Sequence, residues 1–160
     1  MHPGATDRSV NDRQPVVALR PVGADDCMRL YDWQQDPATR RFARNPSIPT
    51  PTEHREWFDR KLADPTCLFF IVQAGNDDVG FLRLDRRPDE AESAYEVSIG
   101  IAPAHHGRGY GRRALEEARK ALPKAVFHAC VLSGNEPSHA LFRAAGYIQC
   151  QDEWYRSDPR

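Results

Sequence analysis

The sequence predicts an α/β sandwich built on one mixed sheet, and three observations predict it. Short apolar runs alternate with longer stretches whose apolar residues return every three or four positions. Two of the short runs, Cys67–Ala74 and Val79–Asp85, flank Gly75-Asn76-Asp77-Asp78, the composition of an antiparallel hairpin. A third run, Ala94–Ile101, passes through a loop with Gly107, Gly109 and Gly111 into a helical stretch. The chain has 160 residues, the length of one domain with a core of ordinary size. Apolar residues make up 40% and charged residues 28%, which is ordinary globular usage.

Residues 1–14 carry Gly, Pro, Asp, Asn and Arg without periodicity, and we expect a disordered leader there with one domain over 15–160. Val16–Leu19 is a first strand closed by Arg20-Pro21. Asp25 or Asp26 can cap a helix with Cys27, Leu30 and Tyr31 on its apolar face and Trp33 near its end. That helix stops before Asp36-Pro37, because a residue preceding proline is pushed out of the helical region. Residues 43–51, with Pro46, Pro49 and Pro51, form a loop. Thr52 opens a second helix, with Thr52 and Glu56 close to capping-box spacing but not at it. Its inner face holds His54, Trp57, Phe58 and Leu62. The hairpin and Ala94–Ile101 follow, then a helix over Gly109–Leu122 with Ala114, Leu115, Ala118 and Leu122 inward. Ala125–Leu132 is a fifth strand, Pro137–Ala145 a short helix and Gly146 its C-terminal cap. Tyr147–Cys150 and Glu153–Arg156 are two closing strands.

Charge and composition exclude several classes of function. Lys and Arg number 22 against 23 Asp and Glu, so the basic excess of a general nucleic-acid binder is absent. No stretch approaches the ~20 apolar residues of a membrane-spanning helix. The first residues have no apolar signal-peptide core. These readings point to a cytoplasmic chain with no nucleic-acid or membrane partner. Cys27, Cys67, Cys130 and Cys150 show no Cys-x-x-Cys pair and no zinc spacing, so they read as buried free thiols. Adjacent His105 and His106 cannot easily converge on one ion from a glycine loop, and no metal is expected.

The chemistry is concentrated between Ile99 and Arg113. Glycines let a backbone approach a ligand and gather its N–H groups into one concavity. The helix that follows adds partial positive charge at its N-terminus, making an anion cradle suited to phosphate. Ala104–Lys120 holds five Lys or Arg against two Glu on an otherwise neutral chain. A P-loop requires Lys-Ser or Lys-Thr after its last glycine, and neither occurs. A dinucleotide fold requires Gly-x-Gly-x-x-Gly after the first strand, whereas the spacing here is Gly-x-Gly-x-Gly.

His106-Gly107-Arg108-Gly109-Tyr110-Gly111 resembles the Gln/Arg-x-x-Gly-x-Gly/Ala pyrophosphate motif of the GNAT family of N-acetyltransferases, and Ile101-Ala102-Pro103 resembles the strand end before it. Asn135-x-x-Ser138-x-x-Leu141-Phe142-x-x-Ala145-Gly146-Tyr147 resembles the family's second signature. The resemblance spans residues 16–150. It implies a mixed, mostly antiparallel sheet flanked by about four helices and splayed between strands 4 and 5. It also implies acetyl-CoA as cosubstrate, with the pyrophosphate on the amides of His106, Gly107, Arg108, Gly109 and Gly111 and added charge from Arg108 or Arg112. Backbone groups of Ile99 and Ile101 would pair with the pantetheine, Asn135 would fix that arm, and Ser138 and Phe142 would lie beside it. The amide of Ile99 would polarise the thioester carbonyl.

Two positions depart from the family pattern. His106 stands where Gln or Arg is usual. Phe142 stands where many members place a tyrosine that protonates the departing thiolate, which leaves Tyr155 or Ser138 as candidate acids. Glu96 is the candidate base that removes the amine's proton. A narrower resemblance lies in Leu19-Arg20-Pro21, Trp33-x-x-Asp36, Glu53-His54-x-x-Trp57-Phe58 and Val79-Gly80-x-x-Arg83-Leu84-Asp85. These look like the nucleotide-sugar branch, the PseH-type enzymes that acetylate a UDP-linked amino-dideoxy sugar. That branch makes Trp33, His54, Trp57 and Arg83 candidate acceptor contacts, with core packing as the plainer role for the tryptophans. Arg40, Arg41 and Arg44 are either a solvated face or contacts to a diphosphate. The acceptor is a small-molecule amine on this reading, and the chain a monomer or homodimer. Alternatives are a protein N-terminal, ribosomal-protein or polyamine N-acetyltransferase, kept open by the acidic run Pro88–Glu92, and a non-catalytic acyl-CoA-binding module.

Overall fold

The computed structural model describes residues 14–90 and 93–159, so the expected leader, apart from Gln14, lies outside the described residues, as do Ala91 and Glu92 of the acidic run. The strands are β1 (Val17–Pro21), β2 (Cys67–Ala74), β3 (Asp77–Arg86), β4 (Ala94–Ile101), β5 (Val126–Cys130), β6 (Ile148–Gln151) and β7 (Trp154–Ser157). The helices are α1 (Cys27–Gln35), α2 (Pro37–Arg40), α3 (Pro51–Ala63), α4 (Tyr110–Ala121) and α5 (Glu136–Ala144). One seven-stranded sheet runs β1-β2-β3-β4-β5-β7-β6. Every neighbouring pair is antiparallel except β4 with β5. Four longer helices flank this mixed sheet, as expected, and α2 is a further helix of 4 residues.

The alternation of β2 explains how the sheet is sandwiched. Phe69 and Ile71 face a cluster with Cys27 and Leu30 of α1 and Phe58 of α3. Phe70, Val72 and Ala74 face the opposite cluster, with Ala114, Leu115 and Ala118 of α4 and Phe142 of α5. Successive strand residues point to opposite faces, so a strand covered on both sides reads as a continuous apolar run. Burying each such Leu, Val or Phe contributes about 1.5–3 kcal/mol.

Several local expectations are corrected. The second long helix starts at Pro51, and its N-cap is Thr50, whose hydroxyl accepts from Glu53 N at 3.2 Å while Glu53 Oε1 accepts from Thr50 N at 3.2 Å. The capping box is therefore Thr50-x-x-Glu53, and Thr52 and Glu56 take no part in it. Leu62, expected inward, is 39% exposed. Asp26 precedes α1 without capping it with its side chain; it accepts from Gly23 N at 2.8 Å and pairs with Arg20. β1 runs to Pro21 because its edge pairing with β2 extends to Phe70. β5 is shorter than Ala125–Leu132, running from Val126 to Cys130, and one more bond in the β7 register follows it, from Val131 N to Glu153 O. Of the four cysteines only Cys27 is buried; Cys67 and Cys130 are half-buried and Cys150 is exposed. Burial, with Asp85 beside it, pushes the Cys67 thiol up to about 11, so it stays protonated. Among the described residues no helix is long and apolar enough to cross a membrane.

Candidate active site

The parallel pair at the centre of the sheet creates the site. β4 and β5 pair only from Ala94 with Val126 to Glu96 with His128. Beyond that point the strands part, and among the described residues the β4 edge from Val97 to Ile101 has no strand on the side away from β3. A cleft of about 1520 Å³ opens there, lined by Glu96, Ile99, Ile101, Asn135, Ser138 and Phe142 among others. Small-ligand sites typically measure ~300–1,000 Å³, so this one has room for two reactants side by side.

One end of the cleft has the geometry an anion cradle needs. Gly107 and Gly109 both have φ of 77°, a region that side chains disfavour, and a Cβ on either would meet nothing within 4 Å. Gly109 is the N-cap of α4 and offers no side chain to its first-turn N–H groups. Thr50 caps α3 and Asn135 Oδ1 caps α5 by accepting from Ser138 N, so α4 is the long helix of the cleft left with unserved donors. Those donors and the helix dipole fit a pyrophosphate. Gly107, Gly109, Gly111 and Arg112 line the cleft, whereas Arg108 lies exposed outside the lining. Arg112 also pairs with Glu116 at 3.3 Å. The ring of His106 is directed back to the strand, where Nε2 donates to Ile101 O at 2.6 Å. Its side chain therefore buttresses β4, and the Ile101 carbonyl expected to serve a ligand is already engaged.

The other end is shaped by α2, α3 and the loop between them. Trp57 and Arg83 line it, with the Arg83 guanidinium 5.2 Å from the Trp57 ring centroid. Arg83 and Lys61 each reach Asp85 at 2.8 Å. Burial alone would raise the Asp85 carboxyl, but these two cations outweigh it and hold the group below its ordinary value. His54 reaches the lining yet is only 2% exposed, and its Nε2 donates to Cys27 O at 2.9 Å. Burial first, and then Arg40 and Arg55, push its imidazole below its ordinary value despite that carbonyl. Trp33 does not join the lining; it packs on the cluster under α1 and α3.

Glu96 sits where the strands part, with its side chain 28% exposed. Its Oε1 accepts from Arg44 Nη2, and Arg44 also lies 5.7 Å from the Trp154 ring centroid. Tyr155, expected as an alternative acid, is not brought to the cleft. It is fully buried, and its hydroxyl meets His139 Nδ1 at 2.7 Å. Since His139 Nε2 donates to Leu132 O at 3.2 Å, Nδ1 is the acceptor and the tyrosine proton is already engaged. Phe142 separates it from the cleft, stacked on Tyr155 at 6.0 Å. Ser138 remains on the lining. Among the described residues no cluster of three metal-ligating side chains forms.

The family model described as an acetyltransferase (GNAT) domain matches residues 17–148. The chain belongs to the GNAT acetyltransferase family. This GNAT domain is 34% identical over 102 residues to the N-alpha-acetyltransferase RimI of Mycobacterium tuberculosis, covering 62% of the chain and 65% of that protein. It is 29% identical to the uncharacterised protein ML0378 of Mycobacterium leprae over 85% of the chain but 35% of that protein. The chain thus spans less than two thirds of either of these relatives. An acetyltransferase of Thermus thermophilus superposes with a TM-score of 0.76 at 25% identity, covering 91% of this chain and 99% of that one.

The GNAT sequence pattern singles out the glycine loop before α4 but carries no sign of the contact between Arg44 and Glu96. Those residues are 52 positions apart, and nothing local in either segment signals that they meet. The approach of Trp154 to Arg44 has the same long-range origin: its ring comes beside that guanidinium because β7 is inserted beside β5.

Proposed function

We propose that this domain moves the acetyl group of acetyl-CoA to a primary amine by direct attack, without an acyl-enzyme. The observation that carries this reading is one cleft joining the uncapped N-terminus of α4, the unpartnered edge of β4 and the Glu96 carboxylate. Acetyl-CoA supplies the acyl group and a sulfur leaving group. The N–H groups of residues 106–111 hold the pyrophosphate, and the α4 dipole adds to them. The β4 edge at Ile99 offers its amide to charge developing on the acyl oxygen. Glu96 takes the amine's proton as the C–N bond forms and the C–S bond breaks, the electron pair leaving on sulfur. Phe142 has no proton to give; a thiol pKa of about 8.5 lets the sulfur depart as thiolate.

For the acceptor we infer the amino group of a UDP-linked amino-dideoxy sugar. Arg40, Arg44 and Arg60 on the wall opposite the cradle support it, since guanidinium forks suit a diphosphate. A peptide N-terminus is the second reading, favoured by the 34% identity to an N-alpha-acetyltransferase. Thiol release should be followed with a UDP-linked amino sugar, an N-terminal peptide and spermidine, alongside calorimetry with acetyl-CoA. Turnover on the sugar nucleotide alone supports the first acceptor, and turnover on the peptide alone replaces it by the second. Tight acetyl-CoA binding with no turnover on any amine makes the domain a binding module instead. Glu96→Gln should lower kcat about 10²-fold with an unchanged KM for acetyl-CoA. Normal turnover in that variant assigns the proton to water or another side chain.

A further inference from the structure

We propose that Arg44 selects the acceptor: its guanidinium holds the Glu96 carboxylate until an amine that carries its own anionic group arrives to exchange partners. This rests on the reading of Glu96 as the proton acceptor for the incoming amine. Arg44 Nη2 donates to Glu96 Oε1, so a guanidinium already pairs with the carboxylate that the amine's proton goes to. Other cations of the acceptor wall are differently placed. Lys61 and Arg83 are matched to Asp85 at 2.8 Å each, and Asp85 has no need of an acceptor's charge.

The pair is built to open. The Arg44 side chain is 60% exposed, and an ion pair so open to solvent is weak. Arg44 sits in the segment between α2 and α3, which is held at its far end where Tyr31 Oη donates to Pro49 O at 2.9 Å. The guanidinium can therefore swing while the segment stays attached. Trp154 provides a surface beside it, 5.7 Å from Arg44 and 5.3 Å from Arg87.

Charge decides what can displace it. An amine with an apolar tail takes Glu96 and leaves the guanidinium without a counter-ion. A diamine brings a second cation against Arg44. An amine bearing a carboxylate or phosphate a few bonds away satisfies both, its ammonium on Glu96 and its anion on Arg44. Arg40 lies on the same wall and adds a second positive charge for that anion.

The test compares three amines of matched length: β-alanine, propylamine and trimethylenediamine, which end in a carboxylate, a methyl group and a second amine. With saturating acetyl-CoA, kcat/KM should be about tenfold higher for β-alanine than for propylamine, the factor one charge-assisted hydrogen bond supplies. Trimethylenediamine should be the poorest of the three. Arg44→Ala should bring the β-alanine to propylamine ratio close to one, Arg44→Lys should keep part of it, and Arg44→Glu should turn the preference towards the diamine. A merely structural role for Arg44 would not reverse a charge preference. Equal rates in the wild type, equal absence of turnover on all three, or a preference that survives Arg44→Ala overturns the proposal. If larger amines are still acetylated in those cases, only the role of Arg44 falls. If no amine of any kind is acetylated, the acetyl-transfer reading falls with it.

Discussion

At Gly109 the backbone has φ of 77° and faces open space, and at Gly75 φ is 60° in the β2–β3 turn, away from the cleft. An alanine at either position costs about 1–2 kcal/mol of backbone strain. Gly109→Ala and Gly75→Ala should therefore lower the urea midpoint by similar amounts, but only Gly109→Ala should also weaken acetyl-CoA binding, by about tenfold or more, because it reshapes the amides of the cradle. Calorimetry finding equal affinities in the two folded variants would remove the cradle from the site. Tyr155→Phe tests the buried chain from Leu132 O through His139 to the tyrosine hydroxyl. Losing the hydroxyl leaves His139 Nδ1 without a donor, at about 1–3 kcal/mol, so the melting temperature should drop while kcat holds. A drop in kcat at an unchanged melting temperature would instead restore Tyr155 as the proton donor.

Among the elements, α3 matters because it carries His54 and Trp57 to the end of the cleft away from the glycine loop. Its start depends on the reciprocal bonds between Thr50 and Glu53. Thr50→Ala should destabilise the fold by about 1 kcal/mol, as N-cap losses do. Thr52→Ala, two residues into the helix and exposed, should stay within about 0.5 kcal/mol of the wild type. Chemical denaturation of the two variants separates these outcomes, and equal effects would mean the box is not what starts the helix. α4 shows the opposite design: it has no side-chain cap at Gly109, and its free N–H groups face the cradle.

The whole molecule should respond to pH through His54, which is 2% exposed and whose imidazole burial holds below its ordinary value of 6.5. The unfolded chain then binds a proton at His54 more readily than the folded one. Stability from this site is complete above about pH 6.5 and is lost as pH falls through the folded value. The urea midpoint should decline below that pH, and His54→Gln should flatten the decline; an equally steep slope in the variant would place the effect elsewhere. Features that depend on near neighbours could be read from the amino-acid order alone. Ala94–Ile101 was legible as a strand to its last residue, and Gly107 and Gly109 as a turn before a helix, because pleat, period and backbone freedom act over a few positions. Thr50-x-x-Glu53 was equally local, and three prolines in the same stretch obscured it. It took the folded chain to bring Arg44 to Glu96 across 52 positions and to insert β7 beside β5. Folding also buried the Tyr155 hydroxyl against His139, out of the cleft. Those outcomes follow from strand order and packing between distant segments, for which no single segment carries the signal.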